Sequence, residues 1–302
     1  MASYCPMLMR FAHGPETLRL GDLEVRRLGF GAMRLPGKDV WGEPEDPATA
    51  HAVLRRAVEL GVNLIDTAWY YGPHVANRLI VEALYPYPAD LVIATKLGGK
   101  RLPDKSWAPA LTPQELRDGI DTDLVSLKLE QLPVVHLRWI PQKNVSFDEA
   151  LDVLLDVQKV GKLRHLALSN VTVEQLEQAL KKTPIVCVQN MFNLRGSAGP
   201  MPHAANPEAV LAICERNDIA FMPFFPLAIG ALTTGGGALE TAAKRHRCSP
   251  AQLALAWLLA RSKVMLPIPG TSRVAHLEEN VGAVHVAIDE RTLAELAPSA
   301  AS

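Results

Sequence analysis

An acid and a tyrosine stand close together in residues 61–72, GVNLIDTAWYYG. The apolar run before Asp66 predicts a strand buried on both faces, which places Asp66 where the strand opens into a loop and Tyr71 on that loop. The carboxyl ends of parallel strands are where α/β folds keep their catalytic groups. The two side chains suit proton-transfer chemistry, and they equally suit a structural hydrogen bond.

Further polar residues end or follow the next apolar runs of the chain. They are Lys96, His136, Ser169, Asn170 and Gln189. In a closed parallel sheet these side chains would surround one opening. Each has a simpler interpretation, since Lys96 could cap a loop, His136 could be a buried core histidine and Gln189 could bond only to backbone. Together they provide a cation, an imidazole and amide groups beside the acid and the phenol.

The elements that must position these residues are short apolar runs separated by amphipathic stretches. Residues 18–25 predict a β-hairpin that turns at Gly21 and Asp22. Eight apolar runs then follow, at residues 28–30, 62–65, 91–95, 132–135, 163–168, 185–188, 219–222 and 264–268. Strands that alternate with helices indicate a parallel sheet.

The stretches between these runs carry helix signals. Asp46 and Pro47 mark the start of a helix that ends at Gly61. Four later stretches begin with the capping-box pattern, in which two side chains satisfy free amides at a helix start. These pairs are Thr112 and Glu115, Ser146 and Glu149, Thr172 and Gln175, and Ser249 and Gln252.

Eight strand-helix units predict an α/β fold, a closed (β/α)8 TIM barrel with an N-terminal β-hairpin. The alternative is an open doubly wound sheet, which should carry G-x-G-x-x-G after its first strand; the segment that begins at Gly29 lacks the third glycine. Pro133 lacks an amide donor, so we expect it at a strand entrance. We expect residues 1–17 to form a loose leader, 18–302 a single barrel domain and 235–237 a flexible loop.

The composition excludes several classes of partner. The 302 residues are 48% hydrophobic and 21% charged, with a formal net charge of −1, so neither nucleic acid nor a membrane is expected to bind. The four cysteines are far apart and form no C-x-x-C, which predicts neither disulfides nor a metal site. This use of cysteine fits a reducing cytoplasm best. We expect a monomer or a weak homo-oligomer.

Seven segments resemble those of the aldo-keto reductase family, and the resemblance covers about residues 18–280. The segment with Asp66 and Tyr71 is similar to the family's aspartate and tyrosine segment. VIATK carries the family's lysine, VVHLR lies where its histidine strand falls, and GKLRHLALSN and VQN resemble its nicotinamide-binding segments. MPFFPLA resembles the segment of the stacking aromatic, and IPGTSRVAHLEEN resembles the loop and helix start around the pyrophosphate.

The resemblance implies a carbonyl reductase that uses NADPH and needs no metal. Tyr71, which directly precedes a glycine as the family's tyrosine does, would give a proton to the carbonyl oxygen; Tyr70 competes on spacing alone. A free tyrosine has a pKa of about 10, so Lys96 would ease proton release and Asp66 would hold Lys96. His136 would orient the carbonyl oxygen as a neutral imidazole or relay a proton.

For the cofactor the resemblance implies NADPH (NADP+), with NADH less expected, because Arg273 could pair with a ribose 2′-phosphate. His276 stands where many relatives carry arginine, which weakens that preference. The residues expected around the cofactor are Gly31, Ala32, Met33, Asp66, Ser169, Asn170, Gln189, Phe224, Pro226, Leu227, Gly270, Thr271, Ser272, Arg273, His276, Glu279 and Asn280.

Other residues bear on the substrate, a small aldehyde or ketone. Trp69 could form a wall of the pocket or be a packed loop aromatic. Trp107 lies in a predicted loop, 97–110, that with the loop 192–203 is long enough to cover the opening. Arg138 follows the histidine where relatives often have tryptophan.

Two other functions remain open at this stage. An isomerase or lyase on the same fold could use Lys96 as a Schiff-base lysine. Some relatives of the family act as regulatory subunits of membrane channels and still bind the cofactor. The nicotinamide-binding set favours a reductase over an isomerase or lyase, and the complete set of four catalytic side chains favours an enzyme over a regulatory subunit.

Overall fold

The structure, a computed structural model, describes residues 11–195, 206–233 and 237–297. It begins with an antiparallel hairpin of β1 (Thr17–Leu20) and β2 (Leu23–Arg26), in which Leu20 pairs with Leu23. The turn is therefore Gly21 and Asp22, as the sequence predicted. Residues before β1 are held in place, since Ala12 N donates to Val284 O and the Arg27 guanidinium donates to the carbonyls of His13 and Pro15.

A parallel sheet in the described part of the chain curls into the predicted (β/α)8 barrel. Its strands are β3 (Phe30–Gly31), β4 (Leu64–Asp66), β5 (Val92–Arg101), β7 (Leu132–Arg138), β8 (Leu163–Ser169), β9 (Cys187–Gln189) and β10 (Ala220–Phe221). The eighth predicted strand, residues 264–268, forms no continuous ladder but closes the barrel: Leu266 N donates to Phe221 O, and Gly29 N donates to Pro267 O. Pro133 lies at the entrance of β7, as expected.

Helices surround the sheet. They are α1 (Pro47–Glu59), α2 (Val75–Leu84), α3 (Pro113–Leu127), α4 (Phe147–Lys159), α5 (Val173–Leu180), α6 (Pro207–Arg216), α7 (Gly237–His246), α8 (Pro250–Arg261), α9 (Val274–Gly282) and α10 (Glu290–Glu295). Asp46 caps α1, and each of the four predicted capping boxes forms, at α3, α4, α5 and α8. The sequence signals at these helix starts are therefore confirmed.

The inside of the barrel is filled by a separate apolar cluster. Leu20 and Val25 of the hairpin pack there against inward residues of the strands, namely Leu64, Val92, Ala94, Val134, Ala167, Cys187, Ala220, Met222, Leu266 and Ile268. The hairpin lies at the amino ends of the strands, because Asn63, just before β4, hydrogen-bonds Arg26 N and Glu24 O. It therefore closes one end of the barrel and leaves the carboxyl end for chemistry.

The main difference from the sequence prediction lies in residues 97–110. Instead of a loop, β5 continues to Arg101 and pairs antiparallel with β6 (Trp107–Ala110). The predicted loops at 192–203 and 235–237, like residues 1–10 of the predicted leader, lie partly or wholly outside the described residues. In the parts of the chain that the structure describes, no helix has the length and apolar character needed to cross a membrane.

Candidate active site

A buried ion pair lies at the carboxyl end of the barrel. Lys96 Nζ is 2.6 Å from Asp66 Oδ2 and also donates to the Thr67 carbonyl at 3.0 Å. Gln189 Nε2 donates to Asp66 Oδ1 at 2.8 Å. Lys96 is 1% exposed and Asp66 3%. Both carboxylate oxygens of Asp66 accept a hydrogen bond, so Asp66 is fixed in place and in turn holds the Lys96 side chain in one orientation.

Tyr71 lies against this pair. Lys96 Nζ is 5.1 Å from the centroid of the Tyr71 ring, and Tyr71 is 3% exposed. Burial, and then the charge of Asp66, raise the pKa of Tyr71, whereas Arg138 lowers it. The net rise keeps the phenol protonated at neutral pH, the state that a proton donor requires.

Tyr70 is fully buried beside Tyr71, and their ring centroids are 5.4 Å apart. Burial is also the main cause that raises the pKa of Tyr70. Its hydroxyl has no hydrogen-bond partner among the described residues. A buried polar atom without a partner carries an energetic cost, which a bound ligand could remove.

His136 is fully buried and neutral. Burial lowers its pKa from 6.5 to about 4, an effect that Asp66 partly opposes. Its Nδ1 lies 3.3 Å from Thr95 O, and its Nε2 finds no partner in the described part of the chain. If Nδ1 carries the ring proton and donates to Thr95, Nε2 is an acceptor; the other tautomer would present an Nε2 donor.

The barrel itself brings these side chains together. Alternate residues of a strand face the same side of the sheet. The residue two positions after an inward-facing apolar residue therefore also faces the interior of the barrel. Asp66 follows Leu64 in this way, as Lys96 follows Ala94 and His136 follows Val134. Strand register then aligns neighbouring strands, and the directly paired residues are Gly31 with Asp66, Lys96 with His136, and Ser169 with Gln189.

The three residues predicted to hold a nicotinamide carboxamide lie on β8, β9 and the turn between them. Ser169 Oγ is buried and lacks a hydrogen-bond partner within the described ranges. Asn170 has a φ of 61° and donates its amide to Trp139 O at 2.8 Å. The side-chain NH2 groups of Asn170 and Gln189 donate within the protein, so these two residues have their carbonyl oxygens to offer a ligand as acceptors.

The predicted pyrophosphate segment lies beside the loop after β3. A Cβ on Gly270 would lie 2.4 Å from Gly31 O, and one on Gly31 would lie 2.7 Å from Ile268 O, so the two backbones touch and only glycine fits at either position. Thr271 Oγ1 accepts from Arg273 N, the N-cap residue of α9. No side chain in the described ranges caps α9, in contrast to the four capping boxes, so no side chain there satisfies its first amides.

The remaining predicted cofactor residues follow β3 or β10, or lie just before and within α9. Phe224 follows β10, forms a bridge with Met191 and packs edge-on against Phe225 at 5.2 Å. The other residues lie in the 3-10 turn after β3, in the segment after Phe224, and just before or within α9. They are Ala32 and Met33, Pro226 and Leu227, and the exposed Ser272, Arg273 and His276, with Glu279 half-buried and Asn280 buried.

Both predicted substrate residues contact the tyrosine pair. The Trp69 ring centroid is 5.7 Å from that of Tyr70, and the Trp107 centroid is 5.9 Å from Tyr70 and 6.5 Å from Tyr71. Trp107 is 42% exposed, whereas Trp69 is half-buried. Trp107 therefore presents the larger aromatic surface to an incoming ligand.

A polar network behind the site was not foreseen from the sequence. Thr67 Oγ1 donates to Asn77 Oδ1 at 2.9 Å, Asn77 Nδ2 donates to Asp123 Oδ1 at 2.8 Å, and Thr95 Oγ1 donates to Asp123 Oδ2 at 2.7 Å. The two threonines directly adjoin the paired acid and lysine. The signal in the sequence was an acid, Asp123, on the apolar face of a predicted helix.

Comparison with known proteins identifies the family of this chain. The model of the aldo/keto reductase family matches residues 27–299. The chain belongs to that family. It is 44% identical over 287 residues to pyridoxine 4-dehydrogenase of Escherichia coli K12, across 93% of this chain and 97% of the relative.

Solved structures of aldo-keto reductases share the fold. The thermostable aldo-keto reductase Tm1743 in complex with the inhibitor epalrestat has a TM-score of 0.77 at 27% identity, covering 93% of this chain and 97% of the other. An aldo/keto reductase from Klebsiella pneumoniae in complex with NADP and acetate has a TM-score of 0.75 at 21% identity, covering 93% and 94%. The protein is thus an oxidoreductase-family (β/α)8 barrel.

Proposed function

We propose that this aldo-keto reductase reduces aldehydes or ketones to alcohols with NADPH, and that Tyr71 is the general acid. The observation that carries the proposal is the buried pair of Lys96 and Asp66 against a protonated Tyr71. Around it lie three buried polar atoms that lack partners among the described residues: Tyr70 Oη, His136 Nε2 and Ser169 Oγ. A carbonyl substrate and a nicotinamide carboxamide would supply partners of the right kind.

The residues on the cofactor side suit NADPH. Ser169 offers a hydroxyl, and Asn170 and Gln189 offer amide oxygens, which together match the donors and acceptor of a carboxamide. Gly31 and Gly270 touch and carry no side chains, so a ligand could approach the backbone closely there. The start of α9, which no side chain in the described ranges caps, suits phosphate. The exposed guanidinium of Arg273 suits a 2′-phosphate, so we expect NADPH to bind more tightly than NADH.

The chain's own residues would handle the proton. When bound, NADPH supplies the hydride for the carbonyl carbon. Tyr71 gives its proton to the carbonyl oxygen as negative charge develops there. His136 can donate to that oxygen only in the tautomer that carries its proton on Nε2, which gives up the Nδ1 bond to Thr95 O. Arg138, whose charge lowers the pKa of Tyr71, and Lys96, oriented by Asp66 beside the ring, would together stabilise the phenolate left on Tyr71. Reprotonation of Tyr71 from solvent completes the cycle.

The alternative functions have less support. A Schiff-base lysine must be a neutral amine, but the Lys96 ammonium donates to Asp66 and to the Thr67 carbonyl. A regulatory subunit would bind the nucleotide without turnover, which the experiment below distinguishes. Monomeric or weakly oligomeric state and cytoplasmic location stay predictions.

The test compares wild type with Tyr71→Phe and, as a matched control, Tyr70→Phe. Nucleotide binding is followed by fluorescence with NADPH and NADH. Turnover is followed by NADPH oxidation with a panel of aldehydes and ketones, and by NADP+ reduction with pyridoxine. Pyridoxine is included because the Escherichia coli relative is named pyridoxine 4-dehydrogenase. We expect Tyr71→Phe to lower kcat by about 10²–10⁴-fold with binding intact, and Tyr70→Phe to lower it by less than about tenfold.

Three results would contradict the proposal. Failure of both nucleotides to bind would exclude the reductase function. Binding without turnover of any carbonyl compound or of pyridoxine would favour the regulatory-subunit alternative. A larger loss in Tyr70→Phe than in Tyr71→Phe would move the general acid to Tyr70.

A further inference from the structure

Arg101 lies between two tryptophans at the rim of the barrel. It is the last residue of β5 and stands directly opposite Trp107 in the hairpin register. Its Cζ is 4.3 Å from the centroid of the Trp107 ring and 5.4 Å from that of Trp41. Guanidinium stacks well on indole faces, so these contacts order both rings.

The same guanidinium joins two loops through backbone carbonyls. Nη1 donates to Val40 O at 2.9 Å and Nη2 to Asp39 O at 3.0 Å. Nη2 and Nε also donate to Lys105 O, at 2.7 and 3.2 Å, in the turn of the hairpin. A planar fork with fixed donors can make this set of bonds while it stacks, whereas the single ammonium of a lysine cannot.

The loop that Arg101 holds has a strained backbone. Asp39 and Val40 have φ angles of 61° and 57°. For a β-branched residue such as Val40 a positive φ is a true outlier, and such conformations persist only where the surrounding structure imposes them. The Val40 carbonyl also accepts from Gly72 N at 3.2 Å, so Arg101 is linked through one carbonyl to the residue after Tyr71.

We propose that Arg101 is a positioning residue that fixes Trp107 as one wall of the substrate pocket, and that this wall selects flat aromatic carbonyl compounds. Trp107 stands edge-on to Tyr71, with an interplanar angle of 82°. A planar ring packed on the exposed indole gains an aromatic contact that a saturated ring of similar size does not gain equally. The inference rests on the proposed reductase function and names its substrate class.

The experiment uses benzaldehyde and cyclohexanecarbaldehyde, which differ in planarity but little in size. In the wild type we expect a lower KM for benzaldehyde. In Arg101→Lys, Arg101→Gln and Trp107→Leu we expect the KM for benzaldehyde to rise by about two- to tenfold, the range of one aromatic contact. In the two Arg101 variants, the KM for cyclohexanecarbaldehyde, kcat for both aldehydes and the affinity for NADPH should change by less than about twofold.

Two further variants separate positioning from general stability. If Arg101 acts through the indole, Arg101→Gln combined with Trp107→Leu should raise KM no more than Trp107→Leu alone. Arg19→Gln, on the exposed hairpin strand at the closed end of the barrel, is the matched control and should leave both KM values as in wild type. Trp107 is on the surface, so Trp107→Leu keeps the test usable if Arg101→Gln fails to fold.

An equal rise in KM for both aldehydes, or additive effects in the double variant, would reduce Arg101 to a structural role and overturn the proposal. Equal wild-type KM values with no change in any variant would overturn it while leaving the proposed reductase function intact. If the wild type binds NADPH but reduces neither aldehyde nor any other carbonyl compound, the proposed function itself fails, and this inference with it.

Discussion

Tyr71 is surrounded by charges of both signs, and their balance sets its protonation. The sequence predicts Lys96 as the cation that eases proton release, but in the structure Asp66 and the Thr67 carbonyl engage the Lys96 ammonium. Arg138, buried at the end of β7, is the cation that lowers the pKa of Tyr71, against the larger effects of burial and Asp66. A phenol that stays protonated in the free protein suits the reduction direction.

His136 gives a prediction about pH dependence. Because burial lowers its pKa from 6.5 to about 4, the neutral imidazole is fully present at pH 6.5 and is lost only as the pH falls towards 4. The plot of kcat/KM against pH, which reports groups of the free enzyme, should therefore show no step near 6.5 for carbonyl reduction. A step at that pH that disappears in His136→Gln would contradict a buried, neutral imidazole.

The sequence was informative about the residues at strand ends and less so about residues that meet through loops. Asp66, Lys96 and His136 could be placed because alternation along a strand and the common direction of parallel strands fix where they point. Arg101 offered no such signal, since its partners Trp41 and Val40 are about sixty residues away and lie in a loop with positive φ angles. Local patterns do not encode contacts of this kind.

Among the elements, β4 and β5 are tied to α2 and α3 by the buried polar network of Thr67, Asn77, Thr95 and Asp123. Burial raises the pKa of Asp123 to about 7, although the hydrogen bonds from Thr95 and Asn77 and the charge of Lys96 lower it. The network thus holds in place the residues next to the ion pair of Lys96 and Asp66. It contains the carboxyl group of Asp123, whose charged form is disfavoured by burial in the folded protein.

Asp123→Asn should therefore change how stability depends on pH. With a folded pKa of about 7 against 3.8 in the unfolded chain, the native state binds the extra proton between these values, so stability is lost as the pH rises through 7. The variant cannot ionise, and at pH 8 it should be more stable than wild type by about 1–4 kcal/mol, with a smaller gain at pH 5. Urea unfolding at both pH values measures this.

The control for that prediction is Asp118→Asn on the same helix. Asp118 is exposed, so its substitution should change the free energy of unfolding equally at pH 5 and pH 8. A gain in Asp123→Asn that is the same at both pH values would show that the Asp123 carboxyl is already neutral or well compensated at pH 8.

The helices were easier to predict than the hairpin of β5 and β6. A capping box lies within four residues, so its signal is local. Residues 97–110 were predicted to form a loop, but a Cβ on Gly98 would lie 2.2 Å from Arg138 O. The glycine marks a close approach of β5 to β7 rather than a turn. Pro267 and Pro269 have no amide hydrogen to donate, which explains why the eighth predicted strand, residues 264–268, forms only isolated backbone hydrogen bonds.

At the scale of the whole molecule, Arg27 joins the first described residues to the last strand segment and to α8. It is 0% exposed, and its guanidinium donates to five backbone carbonyls, those of His13, Pro15, Leu259, Ser262 and Met265. Burial lowers its pKa to about 10, so it remains charged at neutral pH. One side chain thereby satisfies carbonyls from three parts of the chain.

Arg27→Met should destabilise the fold without altering the site. It leaves several buried carbonyls without donors, which we expect to lower the free energy of unfolding by about 3–5 kcal/mol. Urea unfolding of Arg27→Met and of the exposed control Arg19→Met measures the difference. If both variants lose the same small amount of unfolding free energy, water or a shift of the chain satisfies these carbonyls in place of the guanidinium. The Kd for NADPH, measured below the unfolding transition, should equal that of the wild type.

The hairpin closes the amino end of the barrel, so the position of a residue along the barrel axis predicts which property of the protein its substitution changes. Near Leu20 and Val25 a substitution meets only hydrocarbon, so it changes how many molecules are folded but not what each folded molecule does. On β4, β5 and β7 the next inward side chains are those of Asp66, Lys96 and His136, and there we expect the opposite effect. In a mutational library of this protein, the position of the substituted residue along the barrel axis should therefore separate variants with altered abundance from variants with altered turnover.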